Sequence, residues 1–168
     1  ISASPFVVQN VLGLSPSQFS IVFAVNATGM VTAAMITTRL LGRVGARTLL
    51  RFGVCLLLAD GAVLFCTSVV FSSTNPWLIL GPLFVAISSI GFIMGNATAL
   101  AQGEVTNAAG TGSALMGAGQ FGLAALVSPL VGIAGEDTAV PMAIAIPTFG
   151  VLAAVALVLL TRGKAAAA

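Results

Sequence analysis

The chain has 168 residues, 58% of them hydrophobic and only 6% charged, with a mean hydropathy of +1.15 and a formal net charge of +2. An ordinary soluble domain carries roughly 25% charged residues and cannot hide so much apolar surface, so this composition excludes a soluble globule, makes a nucleic-acid partner improbable and predicts an integral membrane protein. The chain has no histidine, so no His-based metal site, no Ser-His-Asp arrangement and no Cys-His pair can be assembled from it; the expectation is a protein that is no enzyme and needs no metal or cofactor.

In chain order, the opening "ISASPFVVQN" has neither an initiator Met nor a basic region leading into an apolar stretch, so it carries no signal-peptide pattern and reads as a piece of something longer. Residues 1–9 are expected to be the tail of one helix, ended by the turn material "NVLGLSPS". Ser15 is the expected N-cap of the next helix, with Pro16 at its first position. A span needs about 20 mostly apolar residues, and five stretches meet that test: 18–38, 52–72, 77–102, 112–134 and 139–161. Together, residues 1–168 are expected to form one all-α transmembrane bundle of five full spans plus the end of a sixth, with no soluble domain.

The first span carries Asn26, which at 100° per residue shares a face with Met30, Ala33 and Thr37. Arg39, Arg43, Arg47 and Arg51 follow, four of the six basic residues, and their spacing lines one face of a short connecting helix near anionic head groups. In the second span, Cys55 and Cys66 lie roughly 16 Å apart along a helix, too far to bridge, and read as small apolar fillers. Asp60 is the only ionisable residue deep in a span; a charge there costs roughly 2.5–3.5 kcal/mol, so it is expected to be protonated or paired, either in proton coupling or in plain packing.

The third span carries Asn96, in line with Ser89 and Phe92, and the small-residue pair Gly91 and Gly95; Glu104 at its end reads as a solvated terminal residue. The fourth carries Gln120 beside the ridge Ala114, Ala118, Gly122. Three amide stripes on three helices can converge on a shared polar cavity, or can be satisfied by hydrogen bonds between helices; both readings fit. Pro82, Pro129, Pro141 and Pro147 interrupt helical hydrogen bonding within or near spans, which favours a moving transporter over a static anchor.

Arg162 and Lys164 follow the fifth span, four crossings after the Arg-rich stretch and so on the same face, whereas "NVLGLSPS", "SSTNP" and "GEDTAVP" carry no Lys or Arg and include Glu136 and Asp137. By the positive-inside rule the Arg loop and the carboxyl terminus are expected in the cytoplasm.

The segments "ISASPFVVQNVLGLSPSQFSIVFAVNATG", "GNATALAQ" and "GTGSALMGAGQFGLAALVSPLVG" together resemble the carboxyl-terminal half of a major facilitator superfamily transporter, specifically the Bcr/CflA group of drug:proton antiporters. The resemblance implies that the chain starts late in the seventh helix and runs to the end of the twelfth. It implies a bacterial inner-membrane exporter that works by alternating access with the amino-terminal half as partner, exchanging small amphipathic substrates for protons within the lipid bilayer. It also implies that Asn26, Met30, Ser89, Phe92, Asn96 and Gln120 border the central cavity, because the seventh, eighth, tenth and eleventh helices do so, and it counts against Asp60. The Arg stretch resembles the superfamily's G-x-L-x-D-R-x-G-R-R loop signature: Leu40, Arg43, Gly45 and Arg47 fit, while Thr38, Gly42 and Ala46 depart from it. Arg39, Arg43, Gly45, Arg47 and Arg51 are thereby implied in topology and a cytoplasmic gate. Alternatives are an exporter of sugars, amino acids or metabolites in the same superfamily, and a non-transporting membrane interaction subunit.

Overall fold

The computed structural model describes the backbone over residues 8–9, 12–70, 75–105, 108–133 and 140–165, and side chains over 8–9, 12–68, 75–105, 108–129 and 143–159. Most of residues 1–9, along with Glu136 and Asp137 and the side chains of Pro141, Arg162 and Lys164, lie outside those described residues.

Five helices follow in order: α1 (Pro16–Val44), α2 (Ala46–Phe65), α3 (Pro76–Gly103), α4 (Ala109–Ile133) and α5 (Val140–Ala165). Helix α1 starts where capping chemistry starts it. The Ser15 hydroxyl accepts from Gln18 N–H at 3.3 Å, the Gln18 side chain accepts from Ser15 N–H at 2.8 Å, and Pro16 occupies the first turn, where no N–H is needed. Helix α3 is capped in the same way by the Asn75 side chain, which accepts from Trp77 N–H at 3.1 Å, with Pro76 behind it. Helix α2 runs out through one π-type turn, Cys66–Val70.

The Arg-rich stretch corrects an expectation. No separate connecting helix holds the four arginines; α1 continues to Val44, α2 begins at Ala46, and Gly45 alone joins them. Leu, Arg and Ala are good helix formers, so both helices propagate past their apolar segments. Gly45 breaks the run at φ 80°, a left-handed conformation that a side chain disfavours, while its N–H still bonds Leu41 C=O at 3.1 Å and its C=O accepts from Leu49 N–H at 3.3 Å. Arg39 and Arg43 therefore end one helix and Arg47 and Arg51 start the next, all four exposed.

Helix α3 lies between α1 and α2, and α2 also packs on α5; α4 touches α3 and α5 at few points. These crossings run through small residues, as expected where lipid supplies no hydrophobic push between helices. Gly91 of α3 seats against Met30 and Ala33 of α1, Gly29 of α1 against Phe84 and Ser88 of α3, Gly53 of α2 against Phe92 and Ile93, and Gly61 against Pro147 of α5. Gly95 and the ridge glycine Gly122 meet nothing within 4 Å, and Ala114 and Ala118 are exposed, so only half of the GxxxG pair and none of the α4 ridge packs among the described residues.

Buried Val8, Leu64, Ile79, Leu83 and Ala143 make an apolar core. Each of the last four stands at the helix end remote from Gly45, so the core closes that end of the bundle. Among the described residues α1, the stretch Ala46–Ser68 and α3 are long and apolar enough to cross a membrane, and α5 contributes a shorter apolar run, Ala143–Leu159. The 25 residues of α4 cover nearly all of the span expected over 112–134.

Candidate functional site

Periodicity places Asn26, Met30, Ala33 and Thr37 on one stripe of α1, and that stripe faces α3. Asn26 is 5% exposed and Thr37 7%, while Met30 is half-buried over the Gly91 notch. On α3, Ser89 and Asn96 are 0% and 2% exposed. Their donors turn back onto their own helix: Ser89 Oγ donates to Ala86 C=O at 2.6 Å, and Asn96 Nδ2 donates to Phe92 C=O at 2.7 Å. Such local bonds relieve the cost of burying a polar group without recruiting a second helix. Buried Thr37 Oγ1 and Ser88 Oγ have no hydrogen-bond partner among the described residues.

The structure buries the stripes of α1 and α3 but turns them to different neighbours, Met30 and Ala33 to Gly91 of α3 and the Ser89–Phe92 face of α3 to Gly53 and Phe52 of α2, and it leaves the third stripe apart. Gln120 stands exposed on α4, whose surface is nearly all exposed, because that helix has so few contacts with the others. Phe92 turns toward α2, where its ring meets Phe52 edge-on at 5.2 Å between centroids and 78° between planes. Asn26, Thr37, Ser89 and Asn96 are thus buried within the packed bundle, and none of them lines the cavities described next.

Asp60 is 7% exposed in mid-α2, one residue before the Gly61–Pro147 contact, and its Oδ2 has no partner among the described residues. Cys55 and Cys66 are free and exposed, which replaces the expectation that they fill a core.

At the Gly45 end of the bundle lies a cavity of about 580 Å³ bounded by α2, α3, α4 and α5. Its walls are apolar, with Leu50 and Val54 of α2, Ile93, Ala97 and Leu100 of α3, Met116 of α4, and Ala153 and Leu157 of α5; Arg47 and Glu104 supply its charges. A second cavity of about 380 Å³ adjoins it between α2 and α5 and is lined by Arg51, Cys55, Leu58, Ala154 and Val158, sharing Val54 and Leu157 with the first. Neither follows from the hydrophobic pattern; Glu104 is exposed at the end of α3, as expected, and also borders the first cavity. The available signal is the run of small residues: Ala97 and Ala101 one turn apart on α3, facing Ala153 on α5, leave room that larger side chains would fill.

The sequence profile of the Major Facilitator Superfamily matches residues 1–129. The chain belongs to that superfamily. Two curated relatives extend the comparison. Over 142 residues, 84% of this chain, it is 34% identical to the uncharacterized MFS-type transporter YdgK of Bacillus subtilis. Over an equal length it is 30% identical to the bicyclomycin resistance protein homolog of Haemophilus influenzae. The chain spans about a third of the length of these curated relatives, 35% of each. No solved structure matches it. The superfamily is one of membrane transporters rather than enzymes, in keeping with the helical fold of the described residues and its apolar spans, and the broad exposed apolar faces of the bundle suit a membrane-embedded chain.

Proposed function

We propose that this chain is the carboxyl-terminal six-helix half of a Bcr/CflA-type exporter of the bacterial inner membrane, which expels small amphipathic drugs in exchange for protons by alternating access with an amino-terminal half. The observation that carries the reading is the 30% identity, over 84% of the chain, to a bicyclomycin resistance protein homolog. Supporting it are the helices that carry Pro82, Pro129 and Pro147 in their interiors, the close glycine-mediated contacts of α3, and the placement of most cations at one end of the bundle. In this proposal the arginine-bearing end and the carboxyl terminus face the cytoplasm. Gln120, exposed on α4, and half-buried Met30 of α1 line the cavity formed with the absent half, buried Asn26 supports that face from within, and Arg43 and Arg47 serve the inner gate.

The test is drug susceptibility of an efflux-deficient bacterium expressing the full natural gene product. Raised resistance to bicyclomycin, abolished by a protonophore, is the expected result; resistance unchanged across amphipathic drugs, with export of a sugar, amino acid or other metabolite instead, overturns the drug-exporter reading. Within the same assay Asp60→Asn decides the role of the buried carboxyl: an altered pH dependence of efflux assigns it to proton exchange, and an unaltered one assigns it to packing.

A further inference from the structure

We infer that the paired cavities between α2 and α5 form a binding site for one anionic diacyl phospholipid, with a chain in each cavity and the phosphate held by Arg47 and Arg51. This inference rests only on the membrane-embedded fold and is independent of what the protein transports.

Three observations carry it. The two cavities, about 580 and 380 Å³, are walled almost wholly by aliphatic side chains and meet at Val54 and Leu157, so they are two branches of one apolar cleft. Each branch has a single arginine, Arg47 in one and Arg51 in the other. These stand one turn apart on α2, so their Cβ atoms are about 5–6 Å apart on one helix face, a spacing at which two guanidiniums can grip one phosphate. The arginines also sit at the very start of α2, next to Gly45, which puts them at the depth of lipid head groups while the branches run toward the hydrocarbon.

Charge selects among lipids. Among the described residues that line the cleft, Arg47 and Arg51 outnumber the one carboxylate, Glu104, by a single positive charge, which the single negative charge of a phosphatidylglycerol matches. A zwitterionic lipid leaves that charge unmatched, and an inorganic phosphate leaves both apolar branches empty. Val158, which lines the smaller branch, is 44% exposed, so that branch opens at the surface of α5, where a chain can enter from the bilayer.

The experiment is native mass spectrometry of the full natural gene product, purified in neutral detergent and incubated separately with palmitoyl-oleoyl phosphatidylglycerol, the corresponding phosphatidylcholine, and inorganic phosphate. A discrete phosphatidylglycerol adduct that survives activation longer than the phosphatidylcholine adduct is expected. The double variant Arg47→Gln, Arg51→Gln is expected to weaken it roughly thirtyfold. Ala154→Leu, which keeps both arginines and fills the smaller branch, is expected to weaken it too, and decides the matter if the double variant does not elute as a single folded species. Equal retention of the two lipids identifies ordinary annular lipid and overturns the inference, as does an adduct that neither variant diminishes. Inorganic phosphate binding that only the arginine change abolishes also overturns it, in favour of a soluble-anion site.

Discussion

Single glycines of α3 make opposite demands although they stand four residues apart. A Cβ on Gly91 runs into the backbone of Met30 and the side chain of Ala33, whereas one on Gly95 meets open space. Gly91→Leu is therefore expected to cost about 1–3 kcal/mol or more by overpacking and to lower the melting temperature of the purified protein, while Gly95→Ala is neutral or raises it slightly through helix propensity. Thermal unfolding of the two variants side by side checks this. The sequence shows a symmetric pair and cannot show the asymmetry, since which glycine meets a neighbour depends on where α1 crosses. The amides teach the same lesson: Asn26, Ser89 and Asn96 are legible as an interior stripe, but that Ser89 and Asn96 bond their own helix is a matter of local rotamers and not of spacing.

For whole helices, the beginnings were the most readable feature and the ends the least. Ser15-Pro16 carries its capping chemistry in four letters, and Gln18 completes the reciprocal bond. The end of α1 was misplaced by several residues because loss of hydropathy at Arg39 looks like the end of a span, although arginine does not stop a helix. At 29 residues and 1.5 Å per residue α1 is roughly 44 Å long, beyond a hydrocarbon core of about 30 Å, so its last turns stand among the head groups. Gly45→Val tests the joint. Any side chain at φ 80° and ψ 151°, a region essentially reserved for glycine, is expected to cost about 1–3 kcal/mol and to reduce the yield of folded protein, so Gly45→Asn is impaired along with Gly45→Val while Gly42→Ala, inside α1 with open space around it, is not; fluorescence-detected size-exclusion compares them.

Taken as a whole, the molecule has two unlike ends. Val8, Leu64, Ile79, Leu83 and Ala143 close one, while the other is cleft by two cavities and ringed by arginine. The sidedness proposed above is tested in a background with Cys55→Ser and Cys66→Ser, both free and exposed positions. Ser17→Cys is expected to react with a membrane-impermeant maleimide in intact cells, and Thr48→Cys only after permeabilisation; the reverse pattern inverts the topology. Membrane class and the helical fold could be read from composition and order. The cavities could not, because they arise from the absence of side-chain volume at Ala97, Ala101, Ala153 and Ala154, contributed by helices far apart in the chain. The one-residue joint at Gly45 has a mechanical corollary. A longer loop has slack and lets neighbouring helices slide independently, but here a shift of α1 along its axis must drag the start of α2 with it. Because α2 is in turn wedged against both α3 and α5, the corner acts as a bell crank, turning a push on one helix into a displacement felt across the bundle.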